Sequence, residues 1–330
     1  MAHDIQKNTY GYTESIGELS LRKAISKHYK LRYDVMIPYT SIAITSGASA
    51  GIFLSLLTLF DAGETIGVMS PGYPCYKNII NALGLKIFII NTTIKNNFQL
   101  TPEIVKNIPS YVKGLIVESP SNPCGSIISN DDLYKISKIC KERKIKVVSD
   151  EIYHDINYEN TRPKTFYAFN NDAVVINSFS KYFLMTGFRL GWIIANNNII
   201  DRIKNLSMNF YLSPSSFSQA VAKETFNYYK YFDAVIKKYQ TNRDFLITAL
   251  NKIGLTKYVF PKAAFYLYID ISDFHNESYL FCKKMIEDIG ITAAPGRDFD
   301  VKNGKKFVRI SYACNIEELK IAVELIKKWI

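Results

Sequence analysis

The chain has 330 residues, 48% of them hydrophobic and 22% charged, which is ordinary globular composition and enough length for two domains. Its net charge of +11 does not indicate nucleic-acid binding, because the lysines are spread along the chain and no zinc-finger or RNP-type motif occurs. No apolar run approaches the roughly 20 residues of a membrane span, and the N-terminus lacks a secretory pattern. We therefore expect a cytoplasmic protein that binds neither nucleic acid nor a membrane.

Cysteine and histidine usage argues against structural bridges and metal. The five cysteines are scattered, odd in number and without a CxxC pair, which disfavours both a disulfide framework and a zinc site. The four histidines lie far apart in sequence and show no metal-ligand spacing. We predict no metal site.

Between residues 41 and 200, short apolar runs alternate with helical stretches. Near-continuous apolar strands alternating with helices predict an α/β fold with a mostly parallel sheet covered by helices. The predicted strands are 41–45, 65–70, 86–92, 113–119, 145–149, 173–178 and 189–195.

The rest of the chain has a different pattern. Residues 198–253 are largely helical, and a long helix near 229–253 is predicted to join two domains. Strand-like and helical runs after residue 260 predict a smaller α+β domain. We place the large domain at 31–235 and the small domain at 1–30 and 236–330.

Five features lie at or next to the C-terminal ends of predicted strands, where open α/β sheets bind ligands. Each has an ordinary structural explanation, such as a helix start, a turn or an N-cap. Together they assemble a phosphate-binding turn, a lysine amine, a buried acid and an Asn/Tyr pair, which is the set that a pyridoxal-phosphate site requires. The features are Thr45–Ser49, Ser119–Gly125, Asp150–Tyr153, Ser178–Lys181 and Thr186–Trp192.

The segment SFSKYFLMTGFRLG, from Ser178 to Gly191, resembles the lysine signature of the class I/II aminotransferases, which are fold-type I pyridoxal-phosphate enzymes. The resemblance spans nearly the whole chain and implies that family's fold, a seven-stranded, mostly parallel sheet in the large domain. The supporting motifs occur in the family's order: YGYTESIGELSLRKAI, TSGAS, SPGYPCY, SPSNPCG, SDEIYHD, FPKAAFY, APGRDF and VRISYA.

The resemblance implies roles around the cofactor ring. Lys181 would form a Schiff base with pyridoxal phosphate and then act as general base and acid. Asp150 would pair with the ring nitrogen and keep it protonated. Asn122 and Tyr153 would contact the ring's O3′, and Tyr73 would stack on its face.

It also implies how phosphate and substrate are held. Ser178 and Arg189 would bind the phosphate together with the turn formed by Gly47, Ala48 and Ser49. Tyr12 would reach the phosphate of a neighbouring subunit, which implies a homodimer with shared sites. Arg309 would grip the substrate α-carboxylate in a two-pronged ion pair, beside Asn122.

The chain departs from the family pattern in a few places. It begins close to the YGYTESIG segment, so the family's N-terminal arm is expected to be short or missing, which bears on closure over the substrate. The usual GAFY reads Ala263–Tyr266, and the usual glycine after Phe299 is Asp300. Arg297 is either a second carboxylate contact or a solvent-exposed loop arginine, and the effect of Asp300 is open.

The leading hypothesis is an aminotransferase that moves an amino group between an L-amino acid and a 2-oxo acid by a ping-pong mechanism. A pyridoxal-phosphate lyase or decarboxylase on the same fold is the alternative, because the shared residues prepare the same carbanion. A catalytically reduced relative that only binds an effector is a third possibility. The substrate side chain cannot be read from these motifs, because Arg309 would recognise any α-amino acid.

Overall fold

The computed structural model of the chain describes residues 10–330, and seven of its strands form one sheet. These are β1 (Ile42–Thr45), β2 (Thr65–Ser70), β3 (Lys86–Asn91), β4 (Val112–Glu118), β5 (Lys146–Asp150), β6 (Val174–Ser178) and β7 (Gly191–Ile194). Their order across the sheet is β1-β7-β6-β5-β4-β2-β3. Strands β2 to β6 run parallel, whereas β7 is antiparallel to both β6 and β1.

Helices cover both faces of this sheet and continue into the C-terminal part. They are α1 (Leu19–Tyr33), α2 (Ala48–Leu59), α3 (Pro74–Ala82), α4 (Pro102–Lys106), α5 (Asn130–Glu142), α6 (Asn197–Tyr211), α7 (Ser216–Thr225), α8 (Tyr229–Lys252), α9 (Ser278–Ile289) and α10 (Ile316–Trp329). The long helix predicted near 229–253 is α8, with 24 residues.

The central strands are buried on both faces, as their continuous apolar runs predict. In β6, Val175 belongs to one hydrophobic core, whereas Val174 and Ile176 belong to the core on the opposite face. This alternation follows from the two-residue period of a strand. Burying such a side chain contributes about 1.5–3 kcal/mol, so both helical layers stabilise the sheet.

A second, three-stranded antiparallel sheet forms the C-terminal part. Its strands β8 (Tyr266–Asp270), β9 (Ala294–Pro295) and β10 (Phe307–Ser311) lie in the order β8-β10-β9. Helices α8, α9 and α10 share a separate core with this sheet. The predicted α/β architecture is confirmed.

The division into a large domain at 31–235 and a small domain at 1–30 with 236–330 stays a prediction. Helix α1 begins within residues 1–30, the N-terminal segment of the predicted small domain. Its Leu21 and Ile25 pack into the core of the large sheet.

Within residues 10–330, no helix combines the length and the apolar character needed to cross a bilayer. The same residues contain no group of His, Cys, Asp or Glu side chains suited to a metal ion. The five cysteines are free thiols.

Candidate active site

Three neighbouring strands bring polar side chains to one edge of the large sheet. Strands β4, β5 and β6 run parallel and end in Glu118, Asp150 and Ser178. A cavity of 350 Å³ lies at these ends. Its lining contains most of the predicted site residues: Ala48, Ser49, Tyr73, Asn122, Asp150, Tyr153, Ser178, Lys181, Arg189 and Arg309.

One end of the cavity is built to hold an anion. Gly47 caps the N-terminus of α2 at a φ of 85°, a conformation that favours glycine. A Cβ at this position would lie 2.8 Å from Nη2 of Arg189, so the guanidinium packs directly against the turn. Ala48 and Ser49 form the first turn of α2. The helix N-terminus and the arginine together favour a phosphate at this end.

Ser178 orders the turn that follows β6. Its hydroxyl accepts a hydrogen bond from the backbone N–H of Ser180 at 3.0 Å and donates to the carbonyl of Leu190 at 3.1 Å. The side chain is buried and lines the cavity. These two hydrogen bonds fix the turn that connects the end of β6 to Lys181.

Lys181 places its amine inside the cavity. Its Nζ lies 5.9 Å from the ring centroids of Tyr153 and Phe265. Burial lowers the pKa of the amine below its ordinary value, and the positive charge of Arg309 lowers it further, against the opposing charge of Asp150. The arrangement makes the neutral, nucleophilic form of the amine easier to reach than in an exposed lysine.

Asp150 is a buried acid at the floor of the cavity. Its carboxylate accepts hydrogen bonds from the Tyr76 hydroxyl at 2.8 Å and from the backbone N–H of Ile152 at 3.2 Å. Burial raises its pKa from 3.8 to about 6, although both hydrogen bonds lower it. A cationic group in the cavity would stabilise the ionised form.

Asn122 and Tyr153 are both buried and line the same cavity. The amide oxygen of Asn122 accepts a hydrogen bond from Nη1 of Arg309 at 2.8 Å. The hydroxyl oxygens of Tyr153 and Tyr266 are 3.1 Å apart. When Tyr266 donates that bond, the Tyr153 proton is free for an acceptor in the cavity. Tyr73 lines the cavity and is half-buried.

Arg309 lies on β10, the strand that brings the small sheet to the cavity. The carbon at the centre of its guanidinium group lies 4.3 Å from the ring centroid of Tyr266 and 4.8 Å from that of Phe299. Its Nε is buried, and no described residue accepts a hydrogen bond from it. The two aromatic rings thus hold the planar guanidinium in place, and its Nε–H remains available to donate to an anion.

Besides Gly47, which caps α2 next to Arg189, three positions singled out in the sequence lie outside the cavity lining. Tyr12 is 84% exposed on this chain. Arg297 forms an ion pair with Glu277. Asp300 is buried and caps its own turn, accepting the backbone N–H of Asn303 at 3.1 Å. Of these, Tyr12 is the one for which the resemblance implies a role.

The departure at GAFY causes no backbone strain. Ala263, which stands where the family pattern has glycine, is not among the residues with positive φ. The left-handed residue is the next one, Ala264, at a φ of 58°. Ala263 donates its backbone N–H to the carbonyl of Gly125 at 2.9 Å.

The motifs did not reveal Glu118, Tyr76 and Tyr266. Glu118 and Tyr266 line the cavity, and Tyr76 donates to Asp150. Glu118 could have been found, because it ends an apolar strand as Asp150 does. Tyr76 and Tyr266 carry no comparable signal, since aromatic residues at such spacing usually indicate core packing.

Comparison with known proteins assigns the family. The family described as aminotransferase class I and II matches residues 2–326. The chain belongs to the class I and II aminotransferases. This aminotransferase is 37% identical over 327 residues to valine–pyruvate aminotransferase of Mycobacterium tuberculosis, a match that covers 98% of this chain and 84% of the relative.

Two further comparisons agree with this family. A probable N-acetyl-LL-diaminopimelate aminotransferase of Bacillus subtilis is 31% identical, over 99% of this chain and 83% of the relative. The crystal structure of an aminotransferase from Mycobacterium tuberculosis superposes with a TM-score of 0.97 at 36% identity, over 99% of this chain and 86% of that one. Enzymes of this class and fold depend on pyridoxal phosphate. The predicted family, cofactor and general activity are confirmed, and the chain is a transferase that acts on amino and 2-oxo acids.

Proposed function

We propose that this cavity carries both half-reactions of a ping-pong transamination, with Lys181 as the residue that holds pyridoxal phosphate and moves the substrate proton. The observation that carries the proposal is the shared location of an amine, a buried acid and two arginines. Lys181, Asp150, Arg189 and Arg309 all line the same 350 Å³ cavity.

The chain's residues fit this cofactor. Gly47 leaves room where a Cβ would meet Arg189, and the N-terminus of α2 adds its dipole to the arginine's charge. The phosphate would be held there by Arg189 and Ser178. The remaining contacts of the phosphate come from the turn at Gly47, Ala48 and Ser49.

At the other end, the buried acid supplies the charge that the ring nitrogen needs. Asp150 has hydrogen-bond donors in Tyr76 and Ile152, and its burial makes ionisation costly without a positive partner. Asn122 and Tyr153 would hydrogen-bond O3′, and Tyr73 would cover the ring face. Asp150 thus holds a proton at the ring nitrogen.

Pyridoxal phosphate, when bound, supplies an aldehyde for the substrate amine and a ring that accepts electrons from Cα. Lys181 then takes the proton from Cα. Its lowered pKa suits this step, because a neutral amine is needed to accept a proton at neutral pH. Arg309 and Asn122 orient the α-carboxylate, so that the Cα–H bond is presented to the lysine.

We further propose that the preferred amino donors have uncharged side chains. Among the described residues that line the cavity, the cations are Lys181, Arg189 and Arg309, and each already has a role. Arg297, the candidate for a second carboxylate, is paired with Glu277. The relatives carry names of both kinds, valine–pyruvate aminotransferase and aspartate aminotransferase.

We also propose a homodimer in which Tyr12 completes the site of the partner subunit. Its 84% exposure leaves the ring available to a second chain. Exposed apolar side chains also lie at the end of α6 and just after it: Met208, Phe210 and Leu212. Large exposed apolar side chains favour burial against a second chain.

Single-turnover spectroscopy tests the reaction. Mixed with an amino acid alone, the holoenzyme is expected to lose its aldehyde-form absorbance and release one 2-oxo acid per site. Release of product with the aldehyde form retained would indicate a lyase instead. A panel of donors with 2-oxoglutarate then tests the side-chain class, and faster turnover of aspartate than of valine and alanine would contradict an uncharged donor.

A further inference from the structure

Glu118 is a second buried acid in the cavity, and the proposed reaction does not use it. It ends β4 with 3% of its surface exposed and pairs in register with Asp150 on β5. Burial and the neighbouring charge of Asp150 raise its pKa well above the ordinary value. Within residues 10–330, it forms no ion pair with a Lys, Arg or His side chain. A buried, unpaired carboxyl destabilises a fold, so its presence at the cavity calls for a function.

The carboxyl group of Glu118 joins two separate loops. Its Oε1 accepts the backbone N–H of Asn122 at 2.9 Å. Its Oε2 accepts the backbone N–H of Tyr73 at 3.4 Å, a longer and weaker bond. Asn122 follows β4 and Tyr73 follows β2. One side chain therefore holds the backbone at two residues that face the cofactor.

We propose that Glu118 is a positioning residue that sets Asn122 and Tyr73 around the cofactor ring. The inference rests on the proposed roles of those two residues. Its effect extends to the substrate, because the Asn122 amide oxygen accepts a hydrogen bond from Arg309. Displacing Asn122 would disturb O3′ and the carboxylate anchor together.

The surroundings of Glu118 indicate how it acts. The ionisable groups that face it include Asp150, Tyr73, Tyr76, Cys124, Tyr153 and Tyr266. Lys181, Arg189 and Arg309 line the same cavity, but none of them forms an ion pair with Glu118. Two backbone N–H groups each donate to a different oxygen of the carboxyl, and the Tyr76 hydroxyl, which donates to Asp150, lies beside it. A glutamine has one amide oxygen and would leave one of the two N–H groups without its acceptor.

A double-mutant cycle on cofactor affinity tests the proposal. The dissociation constant of pyridoxal phosphate is measured on cofactor-free protein, and the visible circular dichroism of the bound cofactor reports how the ring is held. We expect Glu118→Ala to weaken binding about tenfold and to reduce the dichroism, with Glu118→Gln in between. In an Asn122→Ala, Tyr73→Ala background, adding Glu118→Ala should change the affinity less than about twofold.

Controls separate the possible failures. Glu151→Gln alters another buried acid, one that accepts the backbone N–H of Phe166 and does not line the cavity, and should leave the affinity unchanged. The inference would be overturned if Glu118→Ala weakened cofactor binding as much in the Asn122→Ala, Tyr73→Ala background as it does alone. Unchanged affinity in the Asn122 and Tyr73 variants would instead overturn their proposed roles. Should Glu118→Ala not fold, the same cycle with Glu118→Gln decides the question.

Discussion

Arg309 donates a 2.8 Å hydrogen bond to the amide oxygen of Asn122, and this bond joins β10 of the small sheet to the loop that follows β4. The amide oxygen is thereby occupied, which leaves the Asn122 N–H₂ group as the donor toward the cofactor. The residue proposed to orient the substrate and the residue proposed to contact the ring are thus held by the same hydrogen bond.

Arg309→Lys is expected to lower kcat/KM for amino acids by about 10- to 100-fold, because lysine keeps the charge and loses the two-pronged geometry. The variant should still bind the cofactor stoichiometrically, which separates a defect in substrate binding from loss of cofactor. Steady-state kinetics with a good donor measure the effect. Arg297→Lys, at an exposed ion pair with Glu277, is the matched control and should leave kcat/KM as it is.

Asp150→Asn should stabilise the cofactor-free protein at pH 8 by up to about 3 kcal/mol, and change little at pH 4. Folding raises the pKa of this carboxyl from 3.8 to about 6, so the folded state holds the proton longer. The free energy of unfolding therefore falls as the pH rises through the interval between these two pKa values. Asparagine does not ionise, so the variant keeps this stability at high pH. Urea denaturation at several pH values measures the effect.

Asp155 provides a control of opposite sign. Asp155 is also buried, but His28, Arg32 and Arg162 outweigh the effect of burial and lower its pKa. Asp155→Asn should therefore destabilise the protein at neutral pH. Equal effects of the two substitutions at pH 8 would refute the account of Asp150.

Gly47→Ala is expected to weaken pyridoxal-phosphate binding about tenfold, because the new Cβ would meet Arg189 at 2.8 Å in addition to straining the backbone. Gly63→Ala is a matched control, since Gly63 has nearly the same φ, +86°, with open space around its Cβ position. It should lower stability and leave cofactor affinity intact. Equilibrium titration of both cofactor-free variants makes the comparison.

The order of strands and helices was predictable because each central strand is an apolar run that ends in a polar residue. Asp150 and Lys181 could be placed at one edge by that rule alone. The long helix α8 followed from its apolar period.

Side-chain contacts between distant segments were not predictable in the same way. The bond from Arg309 to Asn122 spans 187 positions and depends on how the small sheet meets the large one. The contact of Tyr76 with Asp150 depends on how α3 packs beside the end of β5. No local pattern encodes either arrangement, and the family resemblance implied roles for Arg309, Asn122 and Asp150 but neither hydrogen bond.

Mixed dimers test whether Tyr12 acts on the partner's site. If it does, a hybrid of one Lys181→Ala chain and one Tyr12→Ala chain contains one site free of both defects and should recover cofactor affinity and activity there. The parent homodimers have a defect in every site. A hybrid no better than its parents would show that Tyr12 serves its own chain or neither.

The central claim is that Lys181 holds the cofactor, and chemical trapping tests it most directly. The holoenzyme is reduced with borohydride, digested and analysed by mass spectrometry, with Lys181→Ala treated in parallel. We predict that the cofactor is found on the peptide containing Lys181, and that the variant has neither the modified peptide nor turnover. Label on a different lysine, or wild-type turnover by Lys181→Ala, would contradict the account.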